Sequence, residues 1–199
     1  MASFSAPAGA PPLILASSSP YRRELLERLR LPFSVRTPDI DESPADDETP
    51  RELAERLALE KAGLIAGRNP DAVVIGSDQV VECDGRSLGK PGTRTLAIEQ
   101  LSTLQGRQIT FHTALCVRDS QRSRQQIVPT VVQMRPLTTA QIERYVDLEP
   151  ALDCAGAFRS EGLGICLFER LQSDDPTALI GLPLIATVQL LDDFGITLP

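Results

Sequence analysis

Residues 17–23, SSSPYRR, place three hydroxyls and two guanidinium groups where a short apolar run (LILAS, 13–17) gives way to a helix. Ser19 suits the N-cap and Pro20 the first helical position. A helix N-terminus offers unpaired N–H groups and the positive end of the dipole. The hydroxyls of Ser17 and Ser19 could add donors. Arg22 and Arg23 fall in the first turn, where cations oppose the dipole, so some other benefit should offset the cost. A bound phosphate would supply it through bidentate guanidinium contacts. Taken alone, the stretch also fits an ordinary capped helix with surface arginines. It is not a Walker A loop, because the GxxxxGK[ST] spacing is absent.

Other short motifs carry matching chemistry. In IGSDQV (75–80) a charged aspartate, Asp78, interrupts an apolar run. Burying it is costly unless it is paired or bound to a cation. Gly76 and Ser77 precede it, and the backbone is expected to break from the strand there and open toward a ligand. Such a carboxylate suits a Mg²⁺ ligand or a base for water. In LGKP (88–91), Lys90 sits on a stiff turn that would fix its ammonium for a phosphate. Lys61 follows Glu60 on a long helical pattern and reads, by itself, as a surface residue. The acidic loop PDIDES offers Asp39, Asp41 and Glu42, any one of which could reach a metal. The glycine-bounded AFRSEG presents Glu161. Cations that neutralise a polyphosphate, with a carboxylate that activates water, are what hydrolysis of a nucleoside triphosphate requires.

The elements that must position these groups follow from periodicity. Strands are expected at 13–17 and 33–37, and a loop over 38–50. Thr49-Pro50 should start a long helix running through Arg68. Residues 71–82 form an apolar run, followed by turns at CDG (83–85) and LGKPG (88–92). A helix is expected from Thr93 to Leu104. Two strands then flank an exposed hairpin, SQRSR (120–124). The pattern gives a helix at TTAQIERYVDL, a partly looped 155–171, and a final helix after Pro183. The alternation of strands and helices, with one antiparallel pair, predicts an α/β fold with a mixed sheet. No linker separates domains, so residues 13–199 read as one domain behind a flexible tail, residues 1–12.

Composition sets limits. The chain has 199 residues, a formal net charge of −7, 42% hydrophobic residues and no tryptophan, so its core must be aliphatic. The acidic balance disfavours a nucleic acid polymer as partner. No apolar run is long enough to span a membrane, and the N-terminus lacks a signal-peptide pattern, so a cytoplasmic location is expected. The single histidine, His112, rules out a histidine-based metal cluster within one chain and reads as a strand-face residue. Cys83, Cys116, Cys154 and Cys166 form no CxxC motif and read as buried free thiols.

In combination, SxSPxR, DE, EKA, GSDQV and GKP, in that order, resemble the Maf family of nucleoside triphosphate pyrophosphatases, once called septum formation inhibitors. The resemblance runs from about Leu13 to the C-terminal helix. It implies a long mixed sheet, like that of inosine triphosphatases, with a cleft between two lobes. It also implies cleavage to a monophosphate and pyrophosphate with Mg²⁺ or Mn²⁺, and a homodimer. By position, Asp78 matches the family's proposed proton acceptor. Ser17, Arg22, Glu42, Lys61 and Lys90 match phosphate- and metal-handling residues, with Glu42 assigned to the metal; Ser19 and the adjacent Arg23 join the substrate set. Tyr21, Glu161 and CAGAFRSEGLGICLFERL resemble the branch that hydrolyses 7-methyl-GTP. An aromatic face attracts a cationic N7-methylated ring, and a glutamate can accept from guanine N1–H and N2–H₂. Gln79 would be a third polar contact to the base. The rival readings are the same chemistry on dTTP and UTP, and a non-catalytic regulator of division.

Overall fold

The computed structural model describes residues 10–199. Of the expected N-terminal tail, residues 1–9 lie outside the described residues. Pro12 is already held, its carbonyl accepting from Val73 N–H at 2.9 Å. In chain order the elements are β1 (Leu13–Ala16), α1 (Pro20–Glu27), β2 (Ser34–Arg36), α2 (Pro50–Gly67), β3 (Val73–Cys83), β4 (Arg86–Leu88), α3 (Arg94–Leu104), β5 (Gln108–Arg118), β6 (Ser123–Met134), α4 (Thr139–Leu148), β7 (Phe168–Ser173) and α5 (Leu184–Asp192). Short 3-10 turns occupy Leu163–Leu167 and Ala178–Ile180.

One seven-stranded mixed sheet runs β2-β1-β3-β5-β6-β7, with β4 also paired to β3. β1 is parallel to β2 and β3, while β3, β5, β6 and β7 are successively antiparallel. β3 is unbroken through Gly76–Gln79, contrary to the expectation from sequence. Those four residues pair regularly with Cys116–Thr113 of β5. An eleven-residue strand extends about 36 Å, long enough to serve two lobes.

Side chains alternate between the faces of β3. Val74 and Val80 face α2, packing with Ile14, Leu57, Ala58 and Ala62. The opposite face carries two separate aliphatic clusters. Near one end, Ile75 packs with Leu15, Leu25, Leu115, Leu182 and Leu191. Near the other, Val81 packs with Leu101, Phe111, Met134, Ile142 and Leu167. The two lobes are these two clusters on one shared sheet.

Local chemistry sets the helix starts. Thr49 and Thr138 form capping boxes with Glu52 and Gln141, and Ser19 and Thr93 cap α1 and α3. β4 was not anticipated, since it is short and largely exposed and lacks an apolar alternation. The expectation of four buried thiols fails in part. Cys83 and Cys116 are buried, Cys154 is half-buried and Cys166 is exposed on the looped segment before β7. Burial pushes the Cys116 thiol up to about 11. His112 lies on β5 with Nε2 2.6 Å from a Glu82 carboxylate oxygen, as a strand-face residue.

Candidate active site

The cleft originates in a gap along one edge of β3. β1 pairs with that edge only as far as Ala16 opposite Gly76. β4 takes it up again at Leu88 opposite Val81. Between them Ser77–Val80 have a ladder partner on the β5 side alone. The chain leaving β1 supplies Ser17–Arg22 on one side of the gap, and the chain leaving β4 supplies Lys90 on the other. The resulting cleft holds about 330 Å³ and reaches from Lys61 and Asp78 to Tyr21 and Glu161.

Gly76 determines how close α2 can come. A Cβ at that position would lie 2.4 Å from the Ala58 carbonyl oxygen and 2.7 Å from Ala62 N. Lys61, on the same helix turn, therefore meets Asp78, two residues along the same face of β3. Lys61 Nζ donates to Asp78 Oδ1 at 2.6 Å and lies 2.6 Å from Glu42 Oε1. The Lys61 and Asp78 side chains are 6% and 10% exposed, and that of Glu42 is 61% exposed. Burial alone would raise the Glu42 carboxyl. The hydrogen bond and charge of Lys61, with the charges of Arg22 and Lys90, outweigh it and hold the group below its usual range. Three cations from three separate segments thus act on one carboxylate.

The entry to α1 is braced by short polar contacts. Ser17 Oγ accepts from Ser19 N–H at 3.1 Å, and Ser19 Oγ accepts from Arg22 N–H at 3.4 Å. Both hydroxyls keep their own proton to donate. Arg22 Nε donates to the Gly181 carbonyl at 2.8 Å, and Ser77 Oγ donates to the same oxygen at 3.1 Å. Gly181 has φ +125°, a conformation that favours glycine. Among the described residues, the terminal nitrogens of Arg22 have no protein acceptor, so its fork remains available to an anion.

At the far rim, Tyr21 OH donates to Asp153 Oδ2 at 3.3 Å and Arg159 Nη2 donates to Asp153 Oδ1 at 3.1 Å. The Arg159 guanidinium lies 5.5 Å from the centroid of the Tyr21 ring. Burial, reinforced by Cys154, pushes the Tyr21 hydroxyl up, so it remains a neutral donor. Glu161 is exposed and accepts from Ser160 Oγ at 3.3 Å.

The cleft brings together Ser17, Ser19, Tyr21, Arg22, Glu42, Lys61, Asp78, Gln79, Lys90 and Glu161. Arg23 is not among its lining residues. Its Nε is 2.9 Å from Glu27 Oε1 on an exposed helix surface, because the residue after Arg22 turns about 100° around α1. Gln79 lines the cleft, but its amide nitrogen is committed. It donates to Thr113 Oγ1 and to the carbonyls of Ala178 and Leu179, so it anchors that segment instead of offering N–H groups to a base. The rim residues Asp153 and Arg159, and Gly181 with its neighbours, were given no site role from sequence, although Arg159 and Gly181 fall in stretches that carry the family resemblance. They sit in loops whose approach to Tyr21 and Arg22 has no local signal.

The donor set fits a divalent cation shared with a ligand. Asp78 and Glu42 each give one oxygen to Lys61, and the second oxygen of each has no protein donor among the described residues. Also among these residues, no group of three or more His, Cys, Asp or Glu is arranged to hold a metal. Mg²⁺ typically takes one or two carboxylates plus substrate phosphates and water, and this chain would supply the carboxylate part of that set.

A family model described as "Maf-like protein" matches residues 12–194. A 7-methyl-GTP pyrophosphatase of Xanthomonas oryzae pv. oryzae is 56% identical over 189 residues, covering 95% of this chain and 100% of that protein. Similarly named proteins of Cupriavidus pinatubonensis and Alcanivorax borkumensis are 56% and 51% identical, covering 93% and 95% of this chain and 94% and 97% of their own. The Ham1 protein structure of Staphylococcus aureus covers 62% of this chain and 71% of its own, with TM-score 0.44 and 16% identity. With a match spanning nearly every described residue and relatives more than half identical over almost their full length, the chain belongs to the Maf-like protein family.

Proposed function

We propose that this protein is a nucleotide pyrophosphatase that hydrolyses 7-methyl-GTP to 7-methyl-GMP and pyrophosphate. The observation that carries the reading is the convergence of Arg22, Lys61 and Lys90 on the carboxylates of Asp78 and Glu42 in one cleft. The names of the relatives support the choice of substrate.

The free fork of Arg22, the Lys90 ammonium and the Ser17 and Ser19 hydroxyls grip the triphosphate. Lys61 holds Asp78 Oδ1 in place. The second Asp78 oxygen takes a proton from a water that attacks the α-phosphorus. The bond from that phosphorus to its bridging oxygen breaks, and pyrophosphate leaves with the oxygen. Mg²⁺ or Mn²⁺, when bound by Glu42, would supply charge neutralisation at the phosphate oxygens. Tyr21 offers its ring to the base, and Glu161 accepts from the guanine edge. One face of Tyr21 is already covered by Arg159, so the base is assigned to the other. The activity would clear modified nucleotides from the cytoplasmic pool.

The test is a panel of 7-methyl-GTP, GTP, dTTP and UTP with Mg²⁺ and product identification. The expected result is a clear preference for 7-methyl-GTP with 7-methyl-GMP and pyrophosphate as products. Preference for dTTP and UTP would overturn the substrate assignment, and release of inorganic phosphate would overturn the reaction.

A further inference from the structure

The loop that carries Glu42 has no regular secondary structure, yet its carboxylate reaches Lys61 at 2.6 Å. Something must hold that loop against α2. Arg56, half-buried on α2, does so through its whole guanidinium group. Nε and Nη2 donate to the two oxygens of Glu48 at 2.7 and 2.9 Å, a bidentate pair. Nη2 also donates to the Ser43 carbonyl at 2.9 Å, and Nη1 lies 3.3 Å from both Glu60 oxygens. Glu48 passes the restraint on by accepting from Ala45 N–H at 2.9 Å.

The contacts flank Glu42 in the chain. Ser43, the next residue, is held at its carbonyl, and its N–H donates to Asp41 at 2.9 Å. The Glu42 side chain is left free to turn toward Lys61. The Glu48 side chain is 9% exposed, so this pair is screened less than an open surface pair. Planar bidentate geometry gives it direction as well as strength, which a lysine at position 56 would lack.

We propose that Arg56, acting through Glu48 and the Ser43 carbonyl, is a positioning residue that sets Glu42 against Lys61. This rests on the reading of Glu42 as a phosphate- and metal-handling carboxylate. Arg56 does not line the cleft. Its effect on turnover would pass through Glu42, so the two residues should act as one unit.

The test compares wild type, Arg56→Ala, Glu48→Gln, Glu42→Ala and the double variant Arg56→Ala/Glu42→Ala. Pyrophosphate release from 7-methyl-GTP is followed against Mg²⁺ concentration, and amide exchange is followed at Ala45. Arg56→Ala and Glu48→Gln are each expected to raise the half-saturating Mg²⁺ concentration about tenfold. The double variant should be no worse than Glu42→Ala alone. Ala45 exchange should accelerate at least about tenfold in both latch variants, with the α2 core amides unchanged. Glu48→Gln leaves α2 intact and keeps the test valid if Arg56→Ala fails to fold. Wild-type Mg²⁺ dependence in the latch variants, or losses that multiply with Glu42→Ala, would overturn the proposal. If the wild-type chain releases no pyrophosphate, the functional reading falls. Ala45 exchange then decides the latch, with acceleration supporting it and wild-type exchange overturning it.

Discussion

Lys61 Nζ touches both Asp78 and Glu42 although its own side chain is almost fully buried. Such a buried ammonium requires charged partners, since desolvation is otherwise severe. Glu42 contributes from the exposed side and is held below its ordinary 4.5 despite partial burial. A depressed carboxylate stabilises the fold above its unfolded value, and that contribution is lost as pH falls through the folded value. The stability difference between wild type and Glu42→Gln should therefore be constant between about pH 5 and 8 and shrink below pH 4.5. Urea midpoints across that range check it. At this scale the sequence was informative about residue type. An aspartate in an apolar run announces that a partner must exist, but not that the partner is Lys61, seventeen residues earlier. Lys61 read alone as a surface residue because helical spacing does not say which strand residue waits beneath it. Arg23 shows the converse: a residue of suitable type is turned outward by its position on α1.

At the scale of elements, the contact between α2 and β3 sets the site. Gly76 is where helix backbone and strand backbone come closest. Gly76→Ala would put a methyl group 2.4 Å from the Ala58 carbonyl, so α2 must retreat. The expected cost is about 3 kcal/mol in unfolding free energy, with turnover falling further because Lys61 retreats with α2. Urea denaturation alongside pyrophosphate release checks both. The glycine was visible in sequence, but as a break in the strand. A close approach and a break look identical locally, and only the packing of a second element separates them. The capped helices were legible because their caps are local: Thr49 with Glu52, and Thr138 with Gln141. β4 was not, though its end delivers Lys90. Three residues, two of them exposed, carry no periodicity.

At the scale of the molecule, the mixed sheet followed from the order of strands and helices, whereas the two lobes followed from the family resemblance. The gap between β1 and β4 on the edge of β3 did not, because register is a property of pairs of strands. That gap makes a charged cleft from segments far apart in the chain, and the base rim of Asp153 and Arg159 closes around Tyr21 from still farther away. None of the described helices is long and apolar enough to cross a membrane. The central claim is that these segments place one water under Asp78, itself held by Lys61, against a triphosphate gripped by Arg22 and Lys90. Turnover of 7-methyl-GTP by Asp78→Asn, with fold and nucleotide binding monitored on the same sample, tests it most directly. The account predicts a loss of about 10²–10⁴-fold in kcat with an intact fold and retained binding. A folded Asp78→Asn protein that turns over within about threefold of wild type would contradict it.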